Sequence, residues 1–174
     1  MIKTIYLLRH AKAAAGDASM SDAERPLNNQ GREACEIIGN IIKKQNIKPD
    51  IILCSTAKRT SQTWDLVATA SGVAAPVEYS KKLYLASAGE IAKHIQALDD
   101  SLNSVLVVGH NPGIHECVIR LCASGSPAAA KKIELKFPTG ALAVIECDIP
   151  RWSALAPTSG YLKDFMTPKG LEDD

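Results

Sequence analysis

The sequence predicts an α/β protein: a single domain over residues 1–174, built in three layers α/β/α around a mostly parallel, Rossmann-like sheet with an antiparallel edge. Three observations predict it. Uncharged aliphatic runs at residues 4–8, 51–54 and 104–108 read as strands buried on both faces. Between them lie stretches whose apolar residues recur at helical spacing. Their order, β-α-β-α-(β)-α-β-α-β-β, is that of parallel strands joined by crossover helices.

The first strand, Lys3-Thr4-Ile5-Tyr6-Leu7-Leu8, stops at Arg9-His10, two groups that resist burial. Such a stop lies at the carboxyl end of a strand, where open α/β sheets bind ligands. Residues 13–25 are small and polar, carry Asp17, Ser19, Ser21, Asp22 and Glu24, and read as a surface loop. Arg25-Pro26-Leu27-Asn28 leads into a helix with Asn28 or Asn29 as its N-cap. Ala34, Ile37, Ile38, Ile41 and Ile42 form its apolar stripe, and Lys43-Lys44 suit the negative end of its dipole. After Pro49-Asp50 and the second strand, a helix is expected from a Ser55 or Thr56 cap to about Ala70, before Gly72. Arg59 then falls in a first turn, where the dipole disfavours a cation and a nearby anion would account for it.

Val77-Glu78-Tyr79 is a brief strand, and Ser87-Ala88-Gly89-Glu90 is a capping-box pattern opening a helix with Ile91, Ile95 and Leu98 on one face. The strand at 104–108 runs into Gly109-His110-Asn111-Pro112-Gly113, whose proline suits the start of a helix carrying Ile114, Val118, Ile119 and Leu121. Residues 125–130 are expected as a loop, and Ile133, Leu135 and Phe137, alternating with charged residues, as a half-exposed edge strand. After the turn Pro138-Thr139-Gly140, residues 141–147 form another strand, with a hairpin partner starting at Pro150-Arg151-Trp152. Beyond about residue 157 the chain reads as a peripheral tail, ending in a frayed acidic Glu172-Asp173-Asp174.

Composition narrows the function. Hydrophobic residues at 46% and charged residues at 22% are ordinary for a soluble globular protein. A net charge of +1 without a long basic run argues against nucleic acid or an anionic membrane as partner. No apolar run approaches the roughly 18 residues of a spanning helix. The amino end enters a strand without a small-residue cleavage site, so a cytoplasmic protein is expected. Cys35, Cys54, Cys117, Cys122 and Cys147 are odd in number and lack C-x-x-C spacing, which predicts reduced thiols rather than disulfides or zinc. Cys54 and Arg59 fall one residue short of the Cys-x5-Arg loop of cysteine phosphatases, which makes Cys54 a core residue. His110 and His115 do not share a helix face, and no acidic cluster accompanies them or Cys117, so no metal is expected. Neither a P-loop nor a G-x-G-x-x-G pattern is present, and no cofactor is expected.

Three strands thus finish in candidate chemistry: Arg9-His10, residues 55–59, and His110-Asn111. In a parallel sheet these ends share one rim. Two arginines and two histidines about one point suit a tetrahedral dianion. The guanidiniums hold its oxygens, one imidazole attacks, and the other donates to oxygen charge in the transition state.

Leu8-Arg9-His10-Ala11 resembles the signature of the histidine phosphatase superfamily, usually Arg-His-Gly. The likeness continues through residues 25–32, 55–63 and 108–113. With Pro138-Thr139-Gly140-Ala141, it is most similar to the small SixA-type phosphohistidine phosphatase branch. The resemblance implies that His10 attacks phosphorus and is transiently phosphorylated, with Arg9, Arg59 and His110 forming the phosphate pocket. Asn28 is a further substrate-binding candidate, although the branch more often has threonine there and capping is its other reading. Ala11 stands where glycine is usual, so the loop must keep ordinary backbone angles. Mutase-like relatives carry a glutamate acid after the third strand, where this chain has Leu83-Tyr84-Leu85; Glu78 or Glu90 would have to reach in. Imidazole leaves more readily than an alkoxide, so a missing acid favours a phosphohistidine substrate. Such a phosphoryl group would be borne by a phosphorelay protein, a phosphotransfer enzyme or a small molecule. The alternatives are a phosphomonoesterase for a small metabolite and a non-catalytic phosphate-binding module on the same fold.

Overall fold

β1 (Ile2–Arg9) is flanked by the parallel strand β4 (Ser104–Gly109) on one side and the antiparallel strand β6 (Leu142–Asp148) on the other. Paired on both edges and covered on both faces, its Ile5, Leu7 and Leu8 are fully buried, as an uncharged run requires. β2 (Ile51–Ser55) continues the sheet beyond β4, and β3 (Val77–Ser80) ends it. On the far side β7 (Gly160–Met166) lies against β6, and β5 (Cys122–Gly125) against β7. The order among the described residues, 1–168 of this computed structural model, is β3-β2-β4-β1-β6-β7-β5.

Side chains alternate between the two faces of each strand, so two cores form. α1 (Asn29–Lys44) and α2 (Lys58–Ser71) cover one face, packing Ile38, Ile42, Trp64 and Val67 on Leu8, Ile52 and Val108. α3 (Ala88–Gln96), α4 (Gly113–Leu121) and α5 (Pro127–Leu135) cover the other, with Ile91, Ile95, Ile114 and Ile133 in the cluster of Ile5, Leu7, Val105 and Val107. Full burial of each such aliphatic side chain stabilises by about 1.5–3 kcal/mol. The expected three-layer α/β/α class is the observed one. No helix among the described residues is long and apolar enough to cross a membrane.

Helix ends follow local chemistry in most places. Asn28 caps α1, its Oδ1 accepting from the Gly31 amide at 2.8 Å. Ser87 caps α3 by accepting from the Glu90 amide at 3.2 Å, and α2 closes on Gly72 at φ 76°. Neither Ser55 nor Thr56 caps α2, which starts at Lys58 after Ala57; Ser55 still belongs to β2.

The carboxyl third departs furthest from expectation. Residues expected as a loop and an edge strand form α5 instead: Ser126 caps it, accepting from the Ala129 amide at 3.3 Å, and Pro127 opens it. The segment expected as a peripheral tail contains β7, which lies between β6 and β5 with Leu162 and Phe165 buried. Consequently the antiparallel strand β6 runs inside the sheet and not along its edge. Trp152, expected to begin a hairpin partner, sits in a 3-10 turn with its Nε1 donating to the Leu102 carbonyl at 2.8 Å. Glu172-Asp173-Asp174 lie outside the described residues.

Candidate active site

β2, β4 and β1 are neighbours, and their carboxyl ends place Ser55, His110 and His10 side by side. The His10 amide extends the ladder by donating to the Gly109 carbonyl at 3.1 Å. The rings of His10 and His110 lie 5.3 Å apart, centroid to centroid, and both residues are buried. His10 Nδ1 is 2.7 Å from the Ala11 carbonyl. A carbonyl only accepts, so Nδ1 carries the proton and Nε2 keeps its lone pair. Burial pushes the His10 pKa down to about 3, opposed by the Ala11 bond and reinforced by His110, Arg9 and Arg59. Burial likewise lowers His110 to about 4, with Arg59 and Arg9 adding to the shift. Both imidazoles are therefore neutral at neutral pH.

The two guanidiniums are fixed from opposite sides. Arg9 Nη1 donates to the Phe137 carbonyl at 2.9 Å, which Asn111 Nδ2 also reaches at 3.0 Å. Arg59, only 2% exposed, donates from Nη1 to the Asp22 carbonyl at 2.8 Å and from Nη2 to Asp22 Oδ2 at 3.0 Å. Its Nε, like Nδ1 of His110, is buried without a hydrogen-bond partner among the described residues. Two neutral imidazoles beside two guanidiniums, with Arg59 Nε and His110 Nδ1 still free to donate or accept, are an arrangement that suits an oxyanion.

The loop after His10 is held from three directions. The Ala11 amide donates to Thr63 Oγ1 at 3.0 Å, and the Gly140 amide lies 3.1 Å from the carbonyls of Arg9 and His10. The Lys12 carbonyl accepts from the Asn28 amide at 3.0 Å. A Cβ on Gly31 would come within 2.1 Å of that Lys12 oxygen, so α1 can start there only with glycine at 31. Ala11 is not among the described non-glycine residues at positive φ, which are Asn46, Leu85 and Thr158. Ordinary backbone angles at position 11 are what alanine requires.

Residues 5–101 match the histidine phosphatase superfamily (branch 1). The chain belongs to that superfamily. A further histidine phosphatase superfamily likeness comes from solved structures. One, of a provisionally assigned phosphohistidine phosphatase SixA from Nakamurella multipartitia, has a TM-score of 0.84 at 29% identity, covering 98% of each chain. The structure of the protein histidine phosphatase SixA complexed with tungstate has a TM-score of 0.78 at 26% identity, covering 97% of this chain and 99% of that one. An uncharacterized protein of Mycobacterium tuberculosis is 34% identical over 93% of this chain and 100% of its own length.

As a histidine phosphatase superfamily member, the chain shows two site residues that its sequence did not single out. Asp22, from the 3-10 turn Asp22–Glu24 in the loop after β1, accepts from Arg59, from Arg25 Nε at 2.9 Å and from the Tyr84 hydroxyl. Those bonds, the Tyr84 bond first, hold its carboxyl well below the usual carboxylate range; the same contact raises the pKa of Tyr84. Tyr84 also stands edge-on to His110 at 5.4 Å and has the Arg59 guanidinium carbon 5.8 Å from its ring centroid. In the sequence Asp22 is one of several acids in an aperiodic loop, and Tyr84 lies between two leucines with no pattern that marks it. Ser55, expected as a helix cap, has its Oγ 2.8 Å from His110 Nε2.

The other candidate side chains have partners of their own or lie in the core or on the surface. Asn28 spends its carboxamide oxygen on the α1 cap. Glu90 pairs with His94 Nδ1 at 3.5 Å, and Glu78 is exposed on the edge strand β3. Nε2 of His115 meets the Ile133 carbonyl at 2.7 Å, while Cys117 is buried in the core. Burial pushes the Cys54 thiol up to about 12, which rules it out as a thiolate nucleophile at neutral pH.

Proposed function

We propose that the protein hydrolyses phosphohistidine through a covalent phosphohistidine intermediate on His10, acting on a histidine-phosphorylated signalling or phosphotransfer protein. The observation that carries this reading is the bond from His10 Nδ1 to the Ala11 carbonyl, 2.7 Å long, on a ring flanked by Arg9, Arg59 and His110. It leaves Nε2 unprotonated and aligned as nucleophile. In the first step Nε2 attacks phosphorus, the substrate's P–N bond breaks, and the departing imidazole leaves with a proton from solvent. Arg9 and Arg59 hold the transferring oxygens, and His110 donates to the charge they gain. Water then attacks the phosphoryl group on His10, releasing inorganic phosphate and restoring the free ring.

Substrate class follows from the leaving group. Asp22, the carboxylate bonded to Arg59, is held ionised by Tyr84, Arg25 and Arg59 and has no proton to give. An alkoxide would suffer from that lack more than an imidazole does. The tungstate bound by the similar SixA structure is a tetrahedral oxyanion, consistent with a phosphoryl site here. Beside Arg9 a cleft of about 330 Å³, bordered by Asn111, His115, Lys136 and Thr139, stays open along α5 and leaves room for a protein-borne group.

Incubation with a phosphohistidine protein and with a small aryl phosphate, beside His10→Ala, tests the reading. Phosphate release should prefer the phosphohistidine protein, label the wild-type chain with acid-labile, base-stable phosphate, and fall by ~10³-fold or more in the variant. Unchanged turnover in His10→Ala overturns it. Preference for the aryl phosphate would favour a metabolite phosphomonoesterase, and binding without release would favour a non-catalytic module.

A further inference from the structure

Ser55 Oγ has one proton and two neighbours. The Ala57 amide donates to it at 3.3 Å, and His110 Nε2 lies 2.8 Å away. Two arrangements satisfy these distances. In one, the Ser55 hydroxyl donates to an unprotonated Nε2, and the His110 proton sits on Nδ1. In the other, Nε2–H donates to Oγ, which then receives two donors while its own hydrogen finds no acceptor among the described residues. Ser55 is fully buried, so that orphaned hydroxyl would lose its hydration with no bond to offset the loss. The second arrangement would also turn a lone pair of Nδ1 toward the oxyanion site, where a donor is needed.

We infer that Ser55 is a positioning residue that fixes the tautomer of His110, keeping the proton on Nδ1 and presenting that N–H to the phosphoryl group held beside His10. Nδ1 is the His110 nitrogen with no partner among the described residues, so it is the atom left to meet a substrate. Burial keeps His110 neutral, and a neutral imidazole donates from one nitrogen only; its tautomer therefore decides whether it can serve. The sheet makes the arrangement possible: Cys54 pairs with Val108 in register, which brings Ser55 level with Gly109 and its side chain against the next residue. The two imidazoles thus both carry hydrogen on Nδ1 and use opposite nitrogens. His10 spends its N–H on the Ala11 carbonyl and offers a lone pair, whereas His110 spends its lone pair on Ser55 and offers an N–H.

This inference rests on the proposed role of His110, but its first test does not. Long-range proton–nitrogen NMR of histidine-labelled, substrate-free protein should show His110 as the Nδ1–H tautomer, and Ser55→Ala should shift it toward Nε2–H. In phosphate release Ser55→Ala should lower kcat by ~10-fold or more with KM changed less than about 2-fold, since the lost donor acts on transition-state charge. Ser55→Thr, which keeps the hydroxyl, should restore both readouts. A wild-type His110 protonated on Nε2 overturns the inference, with no variant required. So does a folded Ser55→Ala protein that keeps the Nδ1–H tautomer. If His10→Ala still turns over, the proposed function fails while the tautomer result stands.

Discussion

His10 and His110 share a burial cost that should be visible in the protein's stability. Both have folded-state pKa values far below the ordinary 6.5, at about 3 and about 4. As pH falls below 6.5 the unfolded chain takes up protons at both histidines and the folded chain does not. The unfolded state then binds more protons, so folding stability declines with falling pH between about 6.5 and 4. Urea midpoints taken at pH 7.5, 6 and 5 should fall in that order, and His110→Gln should flatten the slope; equal midpoints would show that the rings are not held neutral. At this scale the sequence was legible where a polar residue interrupts an apolar run. Arg9 ends β1, His10 and His110 each follow a strand directly, and Arg59 stood out because a helix dipole disfavours it there. Ser55 was visible too, but with another role, since a serine before a helix reads equally well as a cap.

The loop between β1 and α1 is the element that carries most of what local pattern missed. Its Asp22 presents both a carbonyl and a carboxylate to Arg59, the guanidinium proposed to hold the substrate's phosphoryl group. Under that proposal phosphate competes with a carboxylate already in place. Removing that charge by Asp22→Asn should tighten binding of inorganic phosphate by roughly 5-fold, the scale of a partly exposed ion pair; calorimetry showing unchanged or weaker binding would refute the competition. Such a loop has no periodicity to read, and which of its acids turns inward depends on where α2 and Tyr84 stand. α5 teaches the converse. Ile133, Leu135 and Phe137 alternate in sequence, yet they are 7%, 80% and 1% exposed, so they share no strand face. Ser126-Pro127 followed by three alanines was the stronger signal, a cap and a helix opener before good helix formers.

For the molecule as a whole, β7 links the far side of the sheet to the site. Phe165 on β7 packs on Phe137 with ring centroids 5.0 Å apart, and the carbonyl of Phe137 holds both Arg9 and Asn111. Phe165→Ala should cost about 3–5 kcal/mol of stability, as a buried phenylalanine does. It should also weaken substrate binding, because the support for Arg9 loosens; denaturant titration and KM for phosphate release measure the two. A variant with native stability would mean that β7 is as peripheral as the sequence suggested. Hydrophobic periodicity and strand-end polarity in the sequence pointed to the α/β/α class and to four polar groups on one rim, and the likeness of residues 8–11, 25–32, 55–63 and 108–113 to known motifs pointed to the family, because periodicity and motif are local properties of the chain. Only the tertiary structure decided that β7 lies between β6 and β5, that Asp22 and Tyr84 join Arg59, and that Ser55 reaches His110. Each of these is a contact between segments distant in sequence, chosen by packing and by the pairing of buried donors with acceptors, and no local pattern records such a choice.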